Sequence, residues 1–132
     1  LHPSLVQSSQ KLEYCVLRLK YAVTIMFAKH GPDVLNHQLE LLRLSSAVIE
    51  IYAMTAVLGR ASRACCTDIL NADSEIYLAQ KYCFDAHKRV KQLIIDIVSE
   101  QDVTADFSHF KIAEDIFKHK GYFLEHPMNR NI

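Results

Sequence analysis

Glycine and proline are scarce in this chain, with three of each among 132 residues. Tight hairpin turns depend on such residues, so their scarcity argues against a sheet of short strands. The sequence also lacks a glycine-rich phosphate loop of the GxGxxG or Walker type. Long uninterrupted elements remain, which predicts helices, and half of the residues are hydrophobic, enough for one buried core.

An excess of charge of either sign is also missing, since 15 basic side chains are matched by 15 acidic ones. Without a net positive field nucleic acid is not an expected partner. The cysteines show no CxxC spacing, and adjacent Cys65 and Cys66 are a poor start for a disulfide framework, which favours a reducing compartment. No secretory signal precedes the first element, and the start at Leu1 leads us to expect a piece of a longer protein.

The longest apolar run covers residues 47–58, and we expect the chain to be organised around it. It is apolar on every side of a helix except at Glu50 and Thr55, and such a helix is usually enclosed by others. It is shorter than the roughly 20 residues that a membrane-spanning helix needs. We therefore predict a soluble central helix with neighbours on all sides.

Apolar side chains recur at helical spacing in four segments, which predicts helices over residues 3–29, 33–70, 72–99 and 106–120. The residues expected to cap or end these helices are Gly31, Pro32, Asp33, Asn71 or Asp73, Thr104 or Asp106, and Gly121. Because the breaks are short, neighbouring helices should be antiparallel. The predicted fold class is all-α, an up-and-down antiparallel four-helix bundle forming a single helical domain over residues 1–132.

Each predicted helix has one apolar stripe that should face the core. The stripes consist of Leu5, Leu12, Cys15, Leu19, Ala22 and Met26; of Leu35, Leu39, Leu42, Ile49, Ala53 and Ala56; of Ile76, Ala79, Cys83, Ala86, Val90, Leu93 and Ile97; and of Phe107, Phe110, Ala113 and Phe117. The third helix also carries a mixed-charge row from Lys81 to Asp96, which we interpret as solvated surface.

Glu50 is the first candidate for chemistry, because a carboxyl group among apolar turns could have a raised pKa and act as an acid or base. The alternative is an ion pair with a Lys or Arg of a neighbouring helix, and we favour it because perturbed carboxylates are often structural. Cys83 and His87 lie one helical turn apart and could form half of a zinc site. No second pair stands at ligand spacing, so a core cysteine beside a surface histidine is the preferred interpretation.

The remaining candidates are weaker still. Neither Cys65 nor Cys66 has a histidine at helical spacing, so packing is favoured over a nucleophile. The other six histidines are scattered along the chain, and four of them are near predicted helix ends. The six are His2, His30, His37, His109, His119 and His126. The basic run at residues 87–91 could contact anionic lipid, although nearby acidic residues dilute it. We therefore predict no catalytic, cofactor-binding or metal-binding residue in this chain.

Residues 52–63 read YAMTAVLGRASR and resemble the Y-x-M-x-x-V-L-S-R-A-S-R segment in the C-terminal extension of very-long-chain-type acyl-CoA dehydrogenases, with Gly59 in place of serine. Residues 1–5, 38–43 and 83–86 also resemble parts of that extension, with Asp85 replacing a glutamate. The ending at residues 126–130 is similar to the His-Pro-Leu-Asp-Arg of acyl-CoA dehydrogenase family member nine. The resemblance covers the whole chain.

The resemblance implies a non-catalytic C-terminal helical domain of a mitochondrial, inner-membrane-associated, homodimeric flavoprotein of fatty acid β-oxidation. In that family the FAD site and the catalytic glutamate precede this extension, so FAD would belong to the parent enzyme and not to this chain. Member nine also takes part in respiratory complex I assembly, with partners that include ECSIT. An independent helical protein–protein interaction adaptor with no attached enzyme is the alternative.

A docking domain needs an exposed recognition surface, and we expect it on the third helix and the C-terminal tail. Aromatic and arginine side chains are the usual anchors of interfaces. The residues predicted for this surface are Lys81, Lys88, Arg89, Tyr122, Phe123 and Met128. The body of the parent enzyme, the inner membrane and an assembly factor are the occupants that the resemblance implies.

Overall fold

A computed structural model describes residues 2–67 and 69–128, apart from the side chains of Gln101 and Asp102. The resemblances that involve Leu1 and residues 129–130 lie outside these described residues. The helices are α1 (Val6–His30), α2 (Gln38–Cys66), α3 (Ala72–Val98), α4 (Gln101–Thr104) and α5 (Asp106–His119), with 3-10 turns at Pro3–Leu5 and Gly31–Asn36. No strand occurs among the described residues, and the all-α helical class is confirmed.

The chain divides into two compact units, Leu1–Ser99 with α1 to α3 and Glu100–Ile132 with α4 and α5. In the first unit Arg60, near the end of α2, reaches Glu75 at the start of α3, with 2.8 Å between Nη2 and Oε1. Lys29, at the end of α1, donates from Nζ to the backbone oxygen of Ser99, just after α3, at 3.3 Å. Helices α1 and α3 therefore run in one direction and α2 runs in the other.

The predicted stripes of α1 and α3 form most of the core of the first unit. Leu5, Cys15, Ala22 and Met26 are buried on the α1 side, and Leu12 and Leu19 pack against them. On α3 the buried residues are Ile76, Ala79, Cys83, Ala86, Val90, Ile94 and Ile97. The 3.6-residue period identified both faces, although α1 also exposes Leu17 and Phe27 and α3 exposes Leu78.

The predicted stripe of α2 is wrong. Its core side consists of Ala47, Met54, Leu58, Ala61 and Ala64, with Leu41, Leu44, Ile51 and Val57 packed around them. The predicted residues Leu35, Leu42, Ile49 and Ala56 are exposed, and Leu39 and Ala53 are only half-buried. Because α2 is apolar nearly all round, its periodicity does not indicate which side faces α1 and α3. Among the described residues of the first unit only α1 and α3 pack on α2, so that unit does not cover the helix on all sides as expected.

The connection between α1 and α2 differs from the prediction. Gly31 ends α1 with φ of +54°, a left-handed value that favours glycine. Residues 31–36 then form a 3-10 turn, and α2 begins at Gln38 rather than at Asp33. The Asp33 side chain accepts a hydrogen bond from the Asn36 side chain instead of capping α2.

The other helix boundaries also move. Helix α2 ends at Cys66 rather than at residue 70, and Asn71 precedes α3 in a left-handed conformation without a capping side-chain hydrogen bond. Ala105, with φ of +56°, occupies the N-cap position of α5 in place of Thr104 or Asp106. The four-residue helix α4 was expected to be a loop. Helix ends are the least certain part of a helix assignment and are commonly displaced by one or a few residues.

The stripe predicted for α5 does not become buried. Phe107 and Phe117 are 69% and 80% exposed, Phe110 is exposed as well, and Ala113 is half-buried. Asp106 is instead the buried residue of this helix. The C-terminal unit by itself therefore leaves most of its large apolar side chains uncovered.

Helix α2 is long and apolar enough to cross a membrane by length and composition alone, the one such helix in the described parts of the chain. Core helices of water-soluble proteins meet the same two conditions. In the first unit one side of α2 packs on α1 and α3 through fully buried Ala47 and Met54.

Candidate functional site

Glu50 of α2 is held by two side chains of α3. Arg89 donates from Nε to Oε1 at 2.7 Å and from Nη2 to Oε2 at 2.9 Å. The hydroxyl of Tyr82 donates to Oε2 at 3.0 Å. The fork of a guanidinium group matches both oxygens of a carboxylate, so this arrangement fixes the register between the two helices.

The hydrogen bonds from Arg89 lower the pKa of Glu50, which outweighs the opposite effect of partial burial, and the Tyr82 hydroxyl lowers the pKa further. A general acid or base at neutral pH needs a carboxyl pKa shifted upward. The ion-pair interpretation is therefore confirmed, and Glu50 is ionised and structural.

We expect Glu50→Gln to lower the free energy of unfolding by about 1 kcal/mol at neutral pH, the usual size for a partly exposed bidentate pair. The folded-state pKa of Glu50 lies below the unfolded one. The stabilisation is therefore complete above the ordinary carboxyl pKa and is lost as pH falls through the lower folded-state value. Urea unfolding of the unchanged chain and of Glu50→Gln at about pH 7 and about pH 3 tests this. The difference between their free energies of unfolding should be smaller at about pH 3.

Glu114→Gln is the matched control, because Glu114 pairs with Lys111 at 3.2 Å but its side chain is 72% exposed. This control should change the free energy of unfolding by less than about 0.5 kcal/mol at either pH. A Glu50→Gln effect that grows towards low pH would contradict the assignment of an ionised, paired carboxylate.

Cys83 is buried in the core as expected, and its neighbour across the helix interface is the buried Cys15 of α1. The Sγ atom of Cys15 lies 3.6 Å from Nδ1 of His87. His87 is half-buried rather than a surface residue, its ring tilts against Tyr14, and burial lowers its pKa. The sequence analysis missed the contact between Cys15 and His87 because the two residues are on different helices.

The thiols of Cys15 and Cys83 do not have the lowered pKa of a nucleophilic cysteine. Burial, with a smaller effect of Cys83, raises the pKa of Cys15 to about 11, and burial also raises the pKa of Cys83. A thiol is reactive as the thiolate, so both groups are protonated and inert at neutral pH. Cys65 is half-buried and Cys66 is exposed at the end of α2, and both are free thiols.

Two of the histidines that are scattered in the sequence lie together at the junction of α1 and α2. His30 ends α1, His37 precedes α2 and Glu40 is in the first turn of α2. His30 Nε2 lies 2.8 Å from Glu40 Oε2, and both side chains are buried, with 7% and 5% exposed. The rings of His30 and His37 stack with 3.5 Å between centroids. The 3-10 turn brings together three groups that a continuous helix would have spread over three turns.

Two further charged groups border this cluster. Asp33 Oδ2 lies 3.3 Å from His37 Nε2, and Lys29 Nζ lies 3.9 Å from Glu40 Oε1. One donor atom from each of His30, His37 and Glu40 can be chosen so that all three lie within 4.8 Å of one another. It is the one such group of three or more potential metal ligands in the described parts of the chain. The three residues are spaced H-x6-H-x2-E in the sequence. The sequence analysis did not recognise this spacing as a possible metal site because a continuous helix would spread the three side chains over three turns.

The residues predicted for a recognition surface on α3 are accessible but partly engaged. Lys81 is exposed and pairs with Asp85 one turn away at 2.8 Å. The Lys88 ammonium lies 4.4 Å from the centroid of the Phe84 ring. Arg89 is bound to Glu50, so the basic run at residues 87–91 offers less free charge than its sequence indicates.

The tail residues of the predicted surface lie in the C-terminal unit. Tyr122 and Met128 are 84% and 79% exposed, and Phe123 stacks on the His119 ring with 4.3 Å between centroids. The tail and α5 enclose an apolar groove of about 430 Å³. Its lining consists of Ile112, Asp115, Ile116, Gly121, Tyr122, Phe123 and Leu124.

Comparison with known proteins agrees with the resemblance in the sequence. The family model described as "ACAD9/ACADV, C-terminal domain" matches residues 3–122. The very long-chain specific acyl-CoA dehydrogenase, mitochondrial, of Bos taurus is 27% identical over 129 residues, which are 97% of this chain and 20% of that protein. The Homo sapiens protein of the same name is 26% identical over the same coverage. The chain thus spans about a fifth of the length of these curated relatives.

Proposed function

Because the chain belongs to the ACAD9/ACADV C-terminal domain family, we propose that it is the non-catalytic helical domain of a mitochondrial FAD-dependent acyl-CoA dehydrogenase. In this proposal the FAD site and the catalytic glutamate lie in the rest of a homodimeric subunit that oxidises long fatty acyl thioesters. The domain docks to that body. The match of 97% of this chain to only 20% of the bovine relative supports a role as one part of a larger subunit.

The observation that carries the docking proposal is an apolar stripe on the side of α2 that faces away from α1 and α3. We call Leu42, Ile49, Tyr52 and Ala56 the outer stripe. Its three large residues are 62%, 67% and 76% exposed. These residues recur at helical spacing, so they present one continuous face. Solvent-exposed apolar faces of this kind mark contact sites.

We assign the remainder of the same subunit as the occupant of the outer stripe. The relatives carry a further body about four times the length of this chain. A body tethered to the domain has a high effective concentration, so it would cover the stripe in preference to a separate partner. An independent adaptor would instead keep the stripe free for a second protein.

A second candidate function is attachment to the inner membrane or to a respiratory complex I assembly factor such as ECSIT. The observation that favours it is the set of exposed aromatic side chains on α5 and the tail, including Phe107, Phe117 and Tyr122. Aromatic residues anchor protein interfaces and also insert at membrane surfaces. The ending similar to member nine favours this branch of the family. Phe123 and Met128 add to the proposed surface of the C-terminal unit, and Lys81, Lys88 and Arg89 form a separate candidate patch on α3 of the first unit.

The docking proposal predicts that Ile49→Asp combined with Tyr52→Asp has opposite consequences in two settings. In the isolated chain the free energy of unfolding should change by less than about 1 kcal/mol, since both side chains are exposed. In the full-length subunit the charges would become buried at the interface with the body. The melting temperature of the full-length protein should then fall, and proteolytic cleavage between body and domain should accelerate.

Leu17→Asp is the matched control, because Leu17 is 62% exposed on α1, away from the outer stripe. This substitution should change neither the free energy of unfolding of the isolated chain nor the melting temperature of the full-length subunit. Equal and small effects of the stripe variant in both settings would contradict docking through α2. A stripe variant with normal melting and normal dehydrogenation but poor recovery with mitochondrial membranes would favour the second candidate function.

A further inference from the structure

We propose that His30, His37 and Glu40 form a binding site for a divalent transition-metal ion of the zinc class. The site is built from the end of α1, the connection and the first turn of α2. It is independent of the proposed dehydrogenase role, because none of its residues belongs to the outer stripe or to the C-terminal unit.

The three side chains supply the donor atoms that zinc prefers. Neutral imidazole nitrogens and a carboxylate oxygen bind Zn²⁺ at about 2.0–2.2 Å, and two histidines with one glutamate leave the fourth position for water. Tetrahedral bonds of that length put the donor atoms about 3.3 Å apart. The donor atoms already lie within 4.8 Å of one another, so any two of them are at most about 1.5 Å farther apart than in a formed site.

Two of the ligands are held in place before the metal binds. His30 Nε2 and Glu40 Oε2 are 2.8 Å apart and both side chains are buried, so a hydrogen bond holds the two donor atoms in place. A metal ion that enters between them bonds to both atoms, and the proton of the neutral His30 ring is then carried on Nδ1. The site therefore exchanges one buried hydrogen bond for two metal bonds, and both buried polar groups stay satisfied.

His37 supplies the adjustable ligand. Its ring stacks on that of His30 with 21° between the planes, and two stacked rings cannot both direct a nitrogen at one ion. The His37 side chain is 23% exposed, so its ring has room to turn. Asp33 lies 3.3 Å from Nε2, which leaves Nδ1 for the metal. A carboxylate on the second nitrogen is the usual outer partner of a metal-bound histidine.

One group opposes the site. The Lys29 ammonium lies 3.9 Å from Glu40 Oε1, and its positive charge repels a cation. Lys29 also donates to the Ser99 backbone oxygen at 3.3 Å, so the ammonium has an alternative partner when Glu40 turns towards a metal. Removing this charge should strengthen metal binding.

The test uses the purified 132-residue chain, stripped of metal with a chelator and titrated with Zn²⁺ by calorimetry and with Co²⁺ by visible absorbance. We expect one ion per chain, the intense visible bands of tetrahedral Co²⁺ and a higher melting temperature with Zn²⁺. His37→Ala and His30→Gln should weaken binding at least about 100-fold, since each removes one of three ligands. Lys29→Met should tighten it severalfold.

His109→Ala is the control for adventitious binding to surface histidines, because His109 lies on α5 outside the cluster. Its affinity for Zn²⁺ should equal that of the unchanged chain. Circular dichroism identifies any variant that fails to fold, and His37→Asn then replaces His37→Ala. The proposal is overturned if the unchanged chain binds no stoichiometric Zn²⁺ or Co²⁺, or if the folded His37 variants bind as tightly as the unchanged chain.

Discussion

Replacing Ala47 with aspartate should destabilise the chain severely, by about 3–5 kcal/mol. Ala47 is fully buried on the side of α2 that faces α1 and α3. A carboxylate there would be enclosed by apolar side chains without a partner, or would have to take up a proton. Either cost removes much of the roughly 5–15 kcal/mol that holds a domain of this size together. Urea unfolding followed by circular dichroism measures the loss.

Ala56→Asp is the matched control for this experiment, with the same substitution on the same helix. Ala56 is exposed on the outer stripe, so the new carboxylate stays in water. The expected cost is about 0.5–0.7 kcal/mol, the difference in helix propensity between alanine and aspartate. If Ala56→Asp were the more damaging of the two, the core side of α2 would have to be the one that the sequence pattern predicted.

The second large effect is expected at Ile94 of α3, where substitution by alanine should cost about 2–5 kcal/mol. Ile94 is among the largest side chains with less than 2% of their surface exposed. Its removal takes away buried apolar surface and leaves a cavity, because the long helices on either side can only partly close it. Thermal unfolding in parallel with urea unfolding gives two independent measures of the loss.

The neighbouring Ile95 provides the comparison, since its side chain is 42% exposed. Ile95→Ala removes the same atoms, and alanine is the better helix former, so the net change should stay below about 1 kcal/mol. Similar losses at the two positions would mean that the face of α3 that carries Ile94 is not the one packed in the core.

Sequence periodicity was sufficient where polar residues break up the apolar pattern of a helix enough to leave one main apolar stripe. In α3 every predicted stripe residue is buried or half-buried, and the mixed-charge row on the other side forms pairs such as Lys81 with Asp85. In α2 the same reasoning failed. Apolar residues surround that helix, and the difference between its two sides lies only in where α1 and α3 pack. That information is absent from the spacing of hydrophobic residues.

Composition and local pattern alone therefore determined the helical class, the existence of the four long helices and the core sides of α1 and α3, because each depends on residues close together in the chain. The tertiary structure decided the partners of Glu50, the contact between Cys15 and His87 and the exposed outer stripe of α2. It also decided the cluster of His30 with Glu40, which depends on a 3-10 turn in place of the predicted start of α2. Contacts between helices depend on packing geometry, and many different packings satisfy the same one-dimensional pattern.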